Sequence, residues 1–207
     1  MAGYRRILLK LSGEALAGAG KQGFDTGALD TICRQVAEVS ASGVQVAVVI
    51  GGGNIFRGLA ASAEGMDRVS ADHMGMLATI INGLALKDVF ERLGVKAEVF
   101  SARGVEEIVR PFNREEAVRR LEAGDVVIFV GGTGNPFFST DSAASLRAAQ
   151  IGAEAVLKGT KVDGVYDGDP VANRSAVKFD DITYTEVLSR GLKVMDGTAI
   201  AMCRDIG

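Results

Sequence analysis

At 207 residues the chain has room for one large domain, or for two half-domains that share a sheet. Hydrophobic residues make up 47% and charged residues 24%, a balance that supports a real core and excludes a disordered polymer. The net charge of −3, with no long basic run, argues against a protein that coats nucleic acid.

The first apolar run, Arg5–Leu11, follows two arginines but is broken by Lys10, and no cleavage-type small-residue site comes after it. It reads as a buried strand rather than a signal peptide. It ends in Ser12-Gly13. A glycine-rich connector, Ala17–Thr26, leads to a predicted helix over Ala28–Ser42. The strand Val44–Ile50 runs into Gly51–Asn54 (GGGN). A long helix is predicted over Ser70–Leu93, a strand over Ala97–Ser101 and a helix over Asn113–Ala123. The strand Asp125–Val130 then enters GGTGNPFFSTD (Gly131–Asp141), which opens a helix over Ser142–Ile151. The strand Ala153–Lys158 follows, and Thr160–Pro170 (TKVDGVYDGDP) reads as a hairpin excursion around Val165-Tyr166.

Most of these strands are continuous Val/Ile/Leu runs, the pattern of parallel strands buried on both faces. Gly43, Gly94, Gly124 and Gly152 each stand where a helix should stop. The expected fold is α/β: an open, mostly parallel sheet in three layers, with helices on both faces. Ligands of such sheets bind beyond the carboxyl ends of the strands, where the glycine turns fall. A glycine turn feeding a helix N-terminus gathers backbone N–H groups and about half a positive charge, which favours phosphate.

Neither GxxxxGK[ST] nor a GxGxxG between the first strand and helix is present. Lys10, at the carboxyl end of a buried strand, is costly unless it meets an anion, and it suits the bridging of two phosphates. Arg57 suits a phosphate fork, and Asp72 a pair of ribose hydroxyls. Thr140-Asp141 suits a helix cap that also orients a lysine or sits near Mg²⁺. Tyr166 is placed to face an adenine base. The single histidine, His73, belongs to no Cys/His cluster, so no protein-held metal is expected. Cys33 and Cys203 lie far apart and form no CxxC pair, which favours a reduced, cytoplasmic chain. No run approaches the ~18 uncharged apolar residues of a membrane span. A hydrolase triad cannot be assembled around one histidine. Transfer of a phosphoryl group to a phosphate acceptor needs none, because the acceptor oxygen is already anionic.

KLSGEAL (Lys10–Leu16), VIGGGNIFRG (Val49–Gly58), DHMGMLAT (Asp72–Thr79), GTGNPFFSTD (Gly132–Asp141), LKGTKVDGVY (Leu157–Tyr166) and YTEVLSRGLKVMD (Tyr184–Asp196) resemble the bacterial uridylate kinases. The resemblance implies the amino acid kinase fold in a single domain over 1–207. The acceptor half would span about 1–150 and the ATP half about 151–207, with the family's last strands missing. It implies transfer of a phosphoryl group from Mg-ATP to UMP in pyrimidine nucleotide synthesis.

By motif position, Lys10, Leu11, Ser12, Gly13, Gly53, Arg57, Thr160, Tyr166 and Asp169 are expected on the ATP side. Gly52, Asp72, Thr133, Gly134, Asn135, Pro136, Phe137, Phe138, Ser139 and Thr140 are expected on the UMP side. Lys10, Arg57 and Asp141 are expected to carry the transfer. The resemblance also implies a homohexamer, GTP activation and UTP inhibition. Gly18, Ala19, Gly20, Lys21, Gln22, Gly23, Phe24 and Asp25 match the GTP-response loop in position, with a longer spacing. A nucleotide-occupied storage or regulatory module on the same fold is the competing reading.

Overall fold

A computed structural model describes residues 3–20, 22–63 and 65–207. Six strands form one parallel sheet: β1 (Arg6–Leu11), β2 (Gln45–Ile50), β3 (Ala97–Ser101), β4 (Arg110–Pro111), β5 (Val126–Val130) and β6 (Ala155–Lys158). Their spatial order is β4-β3-β5-β2-β1-β6, so the chain reverses direction across the sheet on either side of β1. That reversal opens a crevice at the carboxyl ends of β1, β2, β5 and β6, which is where open α/β sheets bind ligands.

Side-chain alternation divides the core between the two faces. Ile7, Val46, Val48 and Ile128 point to the face covered by helices α1 (Thr26–Ala41) and α3 (Arg68–Arg92). Leu8, Ala47, Val49 and Phe129 point to the face covered by α4 (Arg114–Glu122) and α5 (Thr140–Ile151). β5 is buried along its whole length, as its uninterrupted VVIFV requires. The expected three-layer α/β fold is therefore present.

Three of the four expected helices start two residues earlier than periodicity alone places them, and α4 one residue later, because caps set them. Asp25 accepts the Ala28 N–H at 2.7 Å and Asp67 accepts the Ser70 N–H at 2.8 Å. Ser139, rather than Thr140 or Asp141, caps α5, accepting the N–H groups of Asp141 and Ser142. β6 begins at Ala155 instead of Ala153, because the Ala153 N–H turns back to the Ala148 carbonyl and closes α5 behind a left-handed Gly152. Gly43, Gly94 and Gly124 have positive φ after their helices, as expected.

Several elements were not foreseen. They are a 3₁₀ turn over Gly13–Ala17, α2 (Gly58–Ala63), the short β4, and two helices late in the chain, α6 (Tyr184–Ser189) and α7 (Gly197–Ile206). The hairpin pairs β7 (Val165–Tyr166) with β8 (Lys178–Phe179), so its connection is longer than the motif suggested.

Candidate active site

Lys10 is the fifth residue of β1, and its side chain is only 10% exposed. Burial at that depth requires a counter-charge. Asp141, in the first turn of α5, supplies it: Lys10 Nζ lies 2.8 Å from Oδ1. No donor is aligned on that buried oxygen, so the link is one of charge rather than a directed hydrogen bond. The other oxygen, Oδ2, accepts a 2.9 Å hydrogen bond from Lys158 at the end of β6, which also donates to the Val194 carbonyl. One carboxylate thus holds two ammonium groups from adjacent strands at the mouth of the crevice.

Between the turn after β2, helix α3 and the start of α5 lies a cavity of about 900 Å³. Its walls include Gly52, Gly53, Arg57, Arg68, Asp72, Phe137, Phe138, Ser139, Thr140 and Asp196. Asp72 does not stand free. Arg68 Nε donates to both its oxygens at 2.9 Å, and the Phe137 N–H donates to Oδ2 at 2.7 Å. The Arg68 guanidinium also lies 5.3 Å from the Phe137 ring centre. Phe137 has φ +72°, a left-handed backbone that a bulky side chain rarely adopts. One hydrogen bond and one cation–π contact to α3 hold it there.

Two further cavities lie beyond the lysines. One, of about 500 Å³, is lined by Asp141, Lys158 and the segment from Gly191 to Gly197. The other, of about 680 Å³, is lined by Lys158, Thr160, Tyr166, Asp169 and Arg190. Asp196 borders both the 900 Å³ cavity and the first of these. Burial opposes its charged form, but hydrogen bonds from Ser139, Ser142 and the Ala199 N–H hold its carboxyl below the usual range. It therefore ties the N-terminus of α5 to that of α7.

The expected residues do not all meet. Lys10 and Asp141 are paired, and Gly52, Gly53, Arg57, Asp72 and Phe137–Thr140 share one cavity. Thr133, Gly134, Asn135 and Pro136 form a turn that does not line it. Thr133 accepts the Asn135 N–H at 3.2 Å, and the Gly134 carbonyl accepts Arg103 Nε at 2.7 Å. Leu11 puts its side chain in the core, and its carbonyl accepts the Gly51 N–H at 2.9 Å. Ser12 caps the 3₁₀ turn, and Gly13 packs on the β2 turn.

Arg57 sits beside Gly53, not over the lysine pair, with Nη2 2.8 Å from Glu14 Oε1. Thr160, Tyr166 and Asp169 share the 680 Å³ cavity. The Tyr166 hydroxyl donates to Asp163 at 2.6 Å, which raises the phenol and, together with Lys178, pushes the Asp163 carboxyl down to about 2.

Of the expected regulatory loop, Gly18, Ala19, Gly20, Gln22, Gly23, Phe24 and Asp25 form the surface connection into α1, and Lys21 lies outside the described residues. The Gly23 N–H donates to the Asn54 carbonyl and the Gly23 carbonyl accepts Asn54 Nδ2, while Asp25 caps the helix.

Lys158, Asp196, Arg68, Asn54 and Asn82 were missed. Lys158 carried the same signal as Lys10, a lysine ending an apolar strand before glycine. Asp196 stood in a quoted motif, KVMD, as a cap-type residue before a helix. For Asn82, within an apolar helix, no sequence signal was read.

Among the described residues no cluster of three or more His, Cys, Asp or Glu side chains is built to hold a metal. Among the described residues no helix is long and apolar enough to cross a membrane.

Comparison with known proteins gives these features a context. The model of the amino acid kinase family matches residues 5–207. The chain is 56% identical to a uridylate kinase of Xanthomonas campestris pv. campestris, over 98% of this chain and 84% of that one. It is 55% identical to a uridylate kinase of Xanthomonas euvesicatoria pv. vesicatoria over the same shares. The crystal structure of UMP kinase from Bacillus anthracis superposes with a TM-score of 0.93 at 39% identity, covering 98% of this chain and 84% of that one. The UMP kinase of Ureaplasma parvum superposes with 0.92 at 40% identity, covering 99% and 87%. The chain belongs to the amino acid kinase family, in its uridylate kinase branch.

Proposed function

We propose that this chain is a uridylate kinase that moves the γ-phosphoryl group of ATP to UMP, giving ADP and UDP. The observation that carries the reading is Asp141 held between Lys10 and Lys158; Asp141 and Lys158 line a cavity that shares Asp196 with the 900 Å³ acceptor cavity and Lys158 with the 680 Å³ cavity. An anionic phosphate oxygen of UMP attacks the γ-phosphorus in line, and the bond from that phosphorus to the oxygen bridging it to the β-phosphate breaks. The electron pair leaves with ADP. No proton has to be removed from the acceptor, which fits a site rich in cations and free of a histidine base.

In this reading Lys10 and Lys158 neutralise the oxygens of the transferring group, and Asp141 sets where both ammonium groups stand. Arg57 leaves Glu14 for a phosphate at the mouth of the acceptor cavity. Asp72, through the N–H of Phe137, holds the loop that closes over the uridine. Thr160, Tyr166 and Asp169 frame the adenine side.

The donor set fits Mg²⁺ brought in on the nucleotide. Asp141, whose buried Oδ1 faces Lys10 Nζ but accepts no aligned hydrogen bond, is the carboxylate that would hold it together with the phosphates. When bound, the ion neutralises phosphate charge.

A homohexamer agrees with an exposed apolar stripe on α3, Met74, Leu77, Ile81 and Leu84, whose spacing keeps one helix face. GTP activation and UTP inhibition belong to the same reading, as does a cytoplasmic setting for the two free thiols.

Phosphorus NMR of the protein with Mg-ATP and UMP tests the assignment. UDP resonances growing in step with ADP support it. ADP appearing without UDP would make the chain an ATPase or a kinase of another acceptor.

A further inference from the structure

Asn82 stands in the middle of α3 and is completely buried, and Asn54 is 1% exposed. Two carboxamides in a core are costly unless each is bonded. Here they bond to each other. Asn82 Nδ2 donates to Asn54 Oδ1 at 2.7 Å, and Asn54 Nδ2 donates to Asn82 Oδ1 at 3.0 Å. The remaining donor of each reaches a turn. Asn82 Nδ2 donates to the Gly51 carbonyl at 2.7 Å, and Asn54 Nδ2 to the Gly23 carbonyl at 2.9 Å.

The β1 turn rests on the same pair. A Cβ at Gly13 would lie 2.5 Å from Asn54 Oδ1 and 2.6 Å from the Gly51 carbonyl oxygen, so only glycine allows this approach. Neither amide lines the acceptor cavity, whereas their neighbours Gly52 and Gly53 do.

We propose that Asn54 and Asn82 are positioning residues for phosphoryl transfer, fixing the spacing between the glycine turns that end β1 and β2. The inference rests on the kinase reading above. The first turn follows Lys10 of β1, three residues before Gly13, and the second forms the Gly52-Gly53 wall of the acceptor cavity. Donor and acceptor phosphates meet across them. A polar pair in an apolar layer has one satisfied arrangement, whereas an apolar pair of similar volume slides. A slip of about 1 Å between reacting groups costs about 100-fold in rate.

The test compares wild type with Asn82→Leu, which removes the whole bonded amide, and Asn82→Asp, which removes its two donated bonds and sets a carboxylate oxygen against the Gly51 and Asn54 acceptors. UMP-dependent ADP formation is measured with saturating Mg-ATP, and UMP-binding sites are counted by equilibrium dialysis on the same samples. The expected result in each variant that retains UMP sites is a fall of about 100-fold in kcat per site with KM for UMP unchanged. Unchanged kcat per site overturns the inference, including the case where activity and site count fall together, which a merely structural role produces. Loss of UMP sites in both variants also overturns it, since the pair then serves folding alone. A wild type that binds UMP but makes no UDP overturns the kinase reading itself, and this inference with it.

Discussion

Lys158 Nζ lies 2.9 Å from Asp141 Oδ2, while Lys10 Nζ lies 2.8 Å from the other oxygen of the same carboxylate. Two cations on one anion leave a local charge of plus one at the strand ends, where a nucleotide would bring several negative charges. The side chains of Lys10 and Asp141 are only 10% and 13% exposed, so the arrangement has little help from solvent.

Asp141→Ala removes the anion from beneath both lysines. Stripping one partner from a buried pair costs about 3–5 kcal/mol. Urea unfolding is expected to register a loss of that size, and inorganic tripolyphosphate is expected to restore part of it by supplying the missing negative charge. A variant as stable as wild type, or one indifferent to tripolyphosphate, would show that the lysines do not depend on an anion there.

Asp72→Ala cuts the bonds to Phe137 and Arg68 together. A hydrogen bond to a charged group is worth about 1.5–3 kcal/mol, so KM for UMP is expected to rise about 10- to 100-fold while KM for ATP holds. Steady-state kinetics with each substrate varied checks this. An equal rise for both substrates would place Asp72 outside the acceptor loop.

Cys33 is fully buried under α3, and burial, reinforced by Asp30 and opposed by Arg92, pushes its thiol from 9.0 up to about 12. The native protein keeps this thiol neutral where the unfolded chain ionises it. Its contribution to stability is therefore present below pH 9 and lost as pH rises towards 12. A thiol titration is expected to show Cys203, partly exposed, reacting in the native protein and Cys33 only after unfolding. Equal native reactivity of both thiols would contradict the burial assigned to Cys33.

The fold was legible because its signals were strong and local. VVIFV and VQVAVVI have no reading but buried strands, and the helix-closing glycines marked boundaries that the structure keeps. Lys10 was legible for the same reason, as a charge where burial demands a partner. The failures have a common cause too. Asn82 offers no local pattern, since its meaning comes from Asn54, 28 residues away in sequence. Arg57 looked like a free phosphate fork because Glu14, which holds it, lies on a different turn. Thr133–Pro136 lie in a motif that spells one continuous loop, but positive φ at Gly131, Gly132 and Gly134 turns the chain there, and only Gly132 and Phe137–Thr140 of that stretch line the cavity.

Lys10→Ala is the most direct test of the transfer site. Turnover of Mg-ATP with UMP and equilibrium binding of UMP are measured on the same preparation. If Lys10 neutralises the transferring group, kcat falls by at least about 10²- to 10³-fold while UMP binding is unchanged. Equal loss of turnover and of UMP binding would contradict that role and leave Lys10 as a buried structural cation.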